Sequence, residues 1–581
     1  MRRLYLYFLG LLILFFAFSC KKDSFLSQTQ TTNLSQTTVF ADSANTVAFL
    51  SNIYSNVGFS FNPGRFVYGP VLTPTTNGGL DAASDEAEVF TTGGSTALAF
   101  ETGTINAAVV TDDAYTKSYT NIRAVNQFLK NLPGAPIRAF TKTQYKAEAR
   151  FLRAWYYAIL LKHYGGVHLV GDSLYNYTEH IPASRNTYAE CVNYIISECD
   201  AAAQDLPLVQ SGIDYGRASK GSCLALKSRV LLYAASPLFN GKTLGSGNTA
   251  ALIGYPGYDK QRWKLAADAA AAVIGSGAYK LNVDNNAIAG LGFQTLFTQR
   301  YNREYIFSLI RPANVDFESL WDPPSRTGVN GAFPLQGLVD AFPMAATGLP
   351  ITDPASNYDP KNPYKGRDPR LEYSIIHDQS SLQNRLASGV SPVNIFVGNY
   401  NGISTGPDAV YVGTRTGYYT NKMMDPNAVA NDFTHVSTRC WPLMRYAEIL
   451  LNYAEAANEY EGPTATGVYA AVEAIRQRAG LTKYQLPLGL SQDAMRTYIQ
   501  NERRIELAFE EHRFWDVRRW KIADQTDNIL SMGMEVDRNG NNVTYKPFAV
   551  RQRNFRTAMY LWPFPQSEVA KSPELIQNPG Y

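Results

Sequence analysis

Between Thr111 and Gly277 the sequence spells out helices together with their starts and stops. Tyr115, Tyr119, Ile122, Val125, Phe128 and Leu132 recur at helical spacing, and Pro133-Gly134 ends that run. Thr141-Lys142-Thr143-Gln144 has the form of a capping box, in which a hydroxyl accepts from the third amide and the third side chain reaches back. The segment it would open carries Tyr145, Leu152, Trp155, Tyr156, Ile159 and Leu160 and closes at Gly165-Gly166. A second box, Thr187-Tyr188-Ala189-Glu190, starts a helix ending near Leu206-Pro207. Two more helices are predicted over about 219–235 and 260–275, the last stopped by Gly275-Ser276-Gly277. Alanines at close-contact positions give these pairs a tetratricopeptide-like character, although their period is irregular.

The stretch 280–440 reads differently. Pro323-Pro324, Asn330-Gly331 and the prolines between Pro360 and Pro369 interrupt any apolar period, so loops with short strands are expected. Loops on a rigid scaffold are where binding groups concentrate. Residues 59–105 share this character. Helical spacing resumes at Pro442 with Tyr446, Ile449, Leu450, Tyr453 and Ala457, and continues over about 466–479 and from Ser491 to about Trp520. With 581 residues, 45% hydrophobic and 18% charged, the chain can bury a large core or two interlocked ones.

The first residues read as a leader. Arg2 and Arg3 precede an almost unbroken apolar run from Leu4 to Phe18, too short to span a bilayer comfortably. Ala17-Phe18-Ser19-Cys20 resembles the cleavage box of bacterial lipoproteins, in which the cysteine thiol receives a diacylglyceryl group. Stable anchoring needs more than one acyl chain, each buried CH₂ contributing about 0.8 kcal/mol. From Asp23 to about Gln36 the sequence is rich in Ser, Thr and Gln and reads as a tether. Cys191, Cys199, Cys223 and Cys440 form no C-x-x-C pair, so structural zinc is not indicated; they read as buried thiols, with any disulfide left open.

Signatures of chemistry mostly fail on context. The formal charge is +3, and +1 once Arg2 and Arg3 are removed, with no basic block to follow a phosphate backbone; nucleic acid is not an expected partner. The six histidines make no H-E-x-x-H pair. Gly402-Ile403-Ser404-Thr405-Gly406 matches a nucleophile elbow literally, but Pro407-Asp408 follow where a helix is required. Asp81, Asp85, Glu86 and Glu88 are the nearest thing to paired carboxylates, and read as a solvated acidic loop or a calcium site. Between Asn501 and Trp520, Glu502, Glu506 and Glu510 recur at i, i+4 with Arg513 beyond, and interleaved Ile505, Phe509, Phe514 and Trp515 imply partial burial. This is a structural ion-pair segment.

Several stretches together resemble the SusD/RagB family of Bacteroidetes outer-membrane lipoproteins. They are Ala147-Glu148-Ala149-Arg150-Phe151-Leu152-Arg153-Ala154-Trp155-Tyr156-Tyr157, Tyr164-Gly165-Gly166-Val167, Arg367-Asp368-Pro369-Arg370-Leu371 and Arg445-Tyr446-Ala447-Glu448-Ile449-Leu450-Leu451. Glu502 to Trp520, Leu561-Trp562-Pro563-Phe564-Pro565 and Gln577-Asn578-Pro579-Gly580-Tyr581 complete the set. The resemblance implies a mostly α fold, an α-α superhelix of tetratricopeptide-like pairs packed against an irregular loop-rich half with short strands. It divides the chain into a signal peptide (1–19), a lipidated tether (20–40), an N-terminal helical region (41–280) and a C-terminal region (281–581). The last is loop-rich over 281–440 and helical over 441–525, the two regions forming one interlocked body.

The resemblance further implies a non-catalytic protein without cofactor or metal, lipid-anchored at Cys20 to the outer membrane and facing the cell exterior. It would capture an oligosaccharide, or in some members a peptide, for a SusC-like TonB-dependent transporter; a secreted glycoside hydrolase is the competing class. The matching motifs belong to the scaffold, not to the ligand site. Starch-binding members use an arc of aromatic rings, and Asp81 to Phe100 here contains no Trp. The candidate ligand residues, each in or next to a predicted loop, are Phe61, Tyr68, Asp81, Tyr301, Arg311, Trp321 and Asp322.

Overall fold

The structure, a computed structural model, describes residues 36–581 except 63–64, 67–77, 90–94, 112, 177, 243, 329–330, 384–388, 431 and 433. Cys20, the leader and Tyr68 therefore lie outside the described residues. Nine helices carry the framework: α1 (Ala114–Asn131), α2 (Ala139–Tyr164), α3 (Tyr188–Asp205), α4 (Lys220–Ala235), α5 (Gln261–Gly275), α6 (Tyr446–Glu461), α7 (Val468–Arg478), α8 (Gln492–Glu506) and α9 (His512–Arg519); a further helix, Ser43–Ser55, packs on α1 and α2. Each of α1 to α5 packs on its successor, as tandem helix pairs do, and α5 then packs on α6, with α7 and α8 closing over α6. The helical array thus runs straight from residue 275 to residue 446. The intervening loop-rich stretch is an excursion from it.

Local chemistry explains most helix ends. Thr187 Oγ1 accepts from Glu190 N at 3.2 Å while Thr187 N donates to Glu190 Oε2 at 2.7 Å, so the expected box at α3 forms. The one expected at Thr141 does not. α2 already begins at Ala139, with Arg138 as its N-cap, so Thr141 lies inside the first turn. At the far end of α2, Gly165 takes φ +78°, and Gly166 runs so close to the neighbouring chain that a Cβ there would stand 2.1 Å from the Asn186 carbonyl oxygen. The helix expected from Ser491 to Trp520 is broken in two. Phe509 (φ 58°) and Glu511 (φ 64°) adopt left-handed conformations, so Glu510 leaves the i, i+4 ladder and turns inward instead.

The excursion contains short helices at Asp316–Trp321 and Arg370–Ser374 and small two-stranded pairings. Strands β1 (Tyr305–Leu309) and β2 (Trp441–Arg445) pair antiparallel and lead the chain back into α6. A long hairpin, β3 (Leu530–Asn539) and β4 (Asn542–Gln552), extends the C-terminal half. Its turn is Gly540-Asn541, with φ +59° at the glycine. The folded body also begins earlier than the expected tether boundary: Gln36–Phe40 is helical and Phe40 is buried.

The main hydrophobic core runs from Phe40 to Leu575, with Trp155 and Trp562 among its largest fully buried side chains, and a small second cluster gathers Phe333, Ile376, Val393, Ile395 and Tyr419. Threaded through it is an ion-pair network assembled from distant segments. Arg370 Nη1 donates to Glu506 Oε2 at 2.8 Å, Arg445 Nη1 to Glu506 Oε1 at 2.6 Å, and Arg478 completes the set around the same carboxylate. Burial alone would raise the Glu506 carboxyl, but these guanidiniums hold it well below the usual carboxylate range. The chain end closes the other side of the core. Trp562 N donates to the His163 carbonyl at 2.9 Å, and Asn578 Nδ2 donates to the Tyr164 and Trp562 carbonyls at 3.1 and 2.8 Å.

The acidic loop contradicts its expected solvent exposure. Asp81, Asp85, Glu86 and Glu88 are all buried. Asp85 accepts two hydrogen bonds of 2.8 Å from Arg513, and Glu88 accepts from Arg551 at 2.6 Å. The arginines that neutralise the loop lie more than four hundred residues away, beyond the reach of local spacing. No group of His, Cys, Asp and Glu suited to a metal ion occurs among the described residues. The four cysteines within the body are buried and free.

Candidate functional site

A cleft of about 850 Å³ opens in the loop-rich half. Three segments build most of its walls: 318–327, from within the Asp316–Trp321 helix into the turn after it, 372–382, from the end of the Arg370–Ser374 helix onward, and 421–430 with Asp432, before β2. Arg370 anchors the second wall through a bidentate pair with Asp368 and its bond to Glu506. Glu318 anchors the first and third together: its carboxylate takes two hydrogen bonds of 2.6 Å from Arg439 and one of 2.9 Å from Asp425 N. The lining is therefore loop backbone pinned to the buried ionic network. Such pinning keeps a binding surface preorganised.

The cleft presents polar groups around a partly exposed ring. Tyr373 is half-buried, its hydroxyl donating to the Ala289 carbonyl at 3.1 Å. Glu372 Oε1 lies 2.9 Å from His377 Nε2, and the His377 ring stacks on Tyr364 at 3.9 Å. Arg326 is held by the Ser391 carbonyl and hydroxyl, both at 3.0 Å, yet its Nε has no hydrogen-bond partner. Burial lowers this guanidinium's pKa from its ordinary value. Asp432 is held low by hydrogen bonds from the Thr434 hydroxyl and amide and from His435. Glu318 is neutralised by Arg439, and the other four carboxylates of the lining (Asp322, Glu372, Asp425, Asp432) stand with one guanidinium and one imidazole, so acidic groups outnumber basic ones. Thr327 and Gln379 line it in left-handed conformations with φ 69° and 68°. Non-glycine residues persist there only when surroundings over-determine them, which is common at binding sites.

The sequence-derived candidates distribute unevenly around this cleft. Asp322 lines it. Trp321 does not: it is buried at 2% exposure and stacks on Phe317 at 4.9 Å, so it supports the wall from behind. Arg311 lies 4.5 Å from the Trp441 ring, itself 5.7 Å from Phe317, and pairs with Asp316. Phe61 borders the same aromatic group, half-buried between Trp155 at 5.7 Å and the Lys162 ammonium at 4.4 Å. Phe61, Arg311 and Trp321 thus meet at one aromatic group around Phe317 and Trp441, and of these candidates Asp322 lines the cleft. Asp81 is corrected outright. It is buried at 3% exposure in the acidic loop, where burial and the neighbouring Glu511 raise its pKa, and it offers no face to a ligand. Tyr301 stands apart on the surface, 63% exposed against Tyr215. Glu372, Tyr373, His377 and Arg326 were missed. Their sole sequence signal is proximity to Arg367-Asp368-Pro369-Arg370-Leu371 and to Pro323-Pro324.

The literal elbow motif has a different setting. Val397–Tyr400 and Ile403–Ser404 form a short hairpin, with Thr405 left-handed at φ 48°, so Ser404 lies on an exposed strand rather than a strand-to-helix turn.

The fold is a helical-repeat scaffold of packed helix pairs with a cleft in a loop-rich excursion. Comparison with known proteins makes this specific. The family model described as the SusD family matches residues 284–581, just over half the chain, and one described as starch-binding, associating with the outer membrane, matches residues 82–232. The chain belongs to the SusD family. SusD-like protein P38 of Formosa agariphila is 22% identical over 476 residues, 80% of this chain and 78% of that relative. The match to SusD-like protein P2 of the same organism, at 37% identity, spans only 25% of that relative's length. Among solved structures, a SusD-like protein of Bacteroides fragilis has 27% identity and a TM-score of 0.73, covering 94% of this chain and 98% of its own. A SusD-like carbohydrate binding protein of Bacteroides fragilis, at 24% identity and a TM-score of 0.71 over 93% and 100%, shares the fold.

Proposed function

We propose that this protein captures a neutral oligosaccharide in the 318–432 cleft and delivers it to a TonB-dependent outer-membrane transporter, to which a lipid on Cys20 keeps it adjacent. The observation that carries this reading is the cleft itself: carboxylates and amides that accept and donate hydrogen bonds, arranged around the half-buried Tyr373 ring. Sugar hydroxyls suit such a rim, and sugar C–H faces suit an aromatic surface. Family membership and the carbohydrate-binding description of a shared-fold relative support the ligand class. No helix among the described residues is long and apolar enough to cross a membrane, so membrane attachment rests on the leader and the family description.

The test is binding of the full-length protein, in detergent, to a panel of neutral glycans and of oligopeptides. Saturable glycan binding without cleavage, weakened by Tyr373→Ala and by Asp322→Asn, is the expected result. Affinity for oligopeptides alone, or turnover of a glycan abolished by changing one cleft carboxylate, overturns it. Partner and anchor are read separately. The protein should co-purify with a β-barrel transporter, and Cys20→Ala should release it from the outer-membrane fraction without altering glycan affinity.

A further inference from the structure

A second opening, on the helical half, has the opposite charge. It is a groove of about 690 Å³ walled by α1, α2 and α3. Lys142, Lys146 and Arg150 follow one another at four-residue steps on α2, so they share one face about 6 Å apart. Lys130 approaches from α1, and Arg153 closes the inner end. The two carboxylates in the groove are already spent. Glu198 accepts from Arg150 at 2.7 Å and from Arg153 at 3.0 Å, and Asp172 pairs with Arg153. Lys142 donates to the Pro133 carbonyl at 2.7 Å, which leaves its charge unneutralised. Lys130 and Lys146 have neither a hydrogen bond nor an ion pair among the described residues.

One polar group at the groove is buried and unmatched. The Tyr194 hydroxyl, on α3, has no hydrogen-bond partner. Burial pushes this phenol up to about 12, so it stays protonated and able to donate. The Tyr194 ring lies edge-on to Tyr157 at 5.2 Å and 5.9 Å from the Arg153 guanidinium. Three uncompensated ammonium groups, an unused phenolic donor and an aromatic ring therefore face one cavity. Buried donors are ordinarily matched, so an unmatched one bordering a cavity marks a place for a ligand acceptor.

We propose that this groove binds a polyanionic saccharide, one bearing carboxylate or sulfate groups along its length. The row of lysines supplies point charges at intervals along the chain, while the phenol and ring engage a sugar unit. A peptide that adds to a sheet edge, or lays an apolar helix face into a groove, finds neither here, since the walls are mainly helices with internally bonded backbones, completed by Gly171 and Asp172 from a loop; an acidic peptide is the alternative polyanion, and poly-glutamate tests for it. The apolar lining amounts to Leu129, Leu132 and Pro133, too little for a lipid chain. The acidic cleft repels the same ligand, so the two sites take different chemistries.

The experiment measures binding of the full-length protein to dextran sulfate, with uncharged dextran and poly-glutamate as comparators. Lys142→Gln with Lys146→Gln is expected to weaken dextran sulfate binding about tenfold, as loss of two partly exposed charge contacts implies. Lys142→Arg with Lys146→Arg should retain it, and Tyr194→Phe should weaken it without changing its salt dependence. Lys264→Gln with Lys571→Gln, on other surfaces, should change nothing; an equal loss there means diffuse charge attraction and overturns the proposal. Equal affinity for poly-glutamate, or for uncharged dextran, also overturns it. Glycan binding in the cleft is independent: Tyr373→Ala should leave dextran sulfate affinity intact, so failure of either site is seen on its own.

Discussion

Arg445, the last residue of β2, donates to the Glu506 carboxylate at the end of α8 across 2.6 Å, although 61 residues separate them. Glu506 is also bound by Arg370 and Arg478, and Arg445 also holds Glu510 and Glu304. Arg370, Arg445 and the Glu506–Glu510 pair come from three of the family-like stretches, whereas Arg478 and Glu304 come from outside them. They meet in the interior, where the cost of desolvating each charge is offset by the others.

Removing one member should leave its partners buried and uncompensated. Glu506→Gln is expected to cost about 3–5 kcal/mol in urea-induced unfolding, the range for breaking a buried pair. The same carboxylate should govern acid sensitivity. Its folded pKa lies below the ordinary 4.5, so its contribution is present above about pH 4.5 and fades as pH falls below that. The stability gap between wild type and Glu506→Gln should narrow on acidification; a constant gap would mean that Glu506 is not held ionised by its arginines.

Glu86 should behave in the opposite sense. Burial pushes it up to about 8 from 4.5, and neither carboxylate oxygen has a hydrogen-bond partner. The stability it contributes is full below about pH 4.5 and is lost as pH rises toward 8, because the unfolded chain releases a proton that the native state retains. Glu86→Gln cannot ionise. Its melting temperature relative to wild type should therefore rise between mildly acidic and mildly alkaline buffers, as read by thermal scans.

At Gly166 the prediction concerns space alone. Its backbone does not adopt a positive φ, yet a Cβ would meet the Asn186 carbonyl oxygen at 2.1 Å and that of Leu252 at 2.8 Å. Gly166→Ala should destabilise by about 1–3 kcal/mol through forced backbone movement. Gly134→Ala, where nothing lies within 4 Å, is the control and should be near neutral. Equal denaturation midpoints for the two variants would refute the close approach.

In the cleft, Tyr373→Ala should weaken oligosaccharide affinity about tenfold while leaving the melting temperature nearly unchanged, since the ring is half-buried and its hydroxyl bond lies at the surface. Calorimetric titration and a thermal scan on the same sample separate the two effects.

The helical framework was largely legible in the sequence, because caps and periodicity are local. Thr187 and Glu190 announce α3 within four residues. The break at Phe509 was not legible, since interior arginines recruit Glu510 and override its helical register. The acidic loop was misread for a similar reason. Asp85 looks solvent-seeking in its own neighbourhood, and its partner Arg513 is known only once the chain has folded. The site was least legible: Asp322 reached the cleft, whereas its neighbour Trp321 turned into the core, and no periodic signal separates such adjacent loop residues. Tyr373 and His377 carry no motif at all.

The contacts of Asn578 and Trp562 with the C-terminal end of α2 have a kinetic consequence. Those bonds join residues about four hundred positions apart, and such long-range closures form late. During synthesis or threading across a membrane from the N-terminal side, the carbonyls at His163 and Tyr164 must wait for their partners until almost the whole chain has emerged. The first helices can form early, but their core stays unsealed. The arrangement delays final locking of the first-made helices until the last residues of the chain are available.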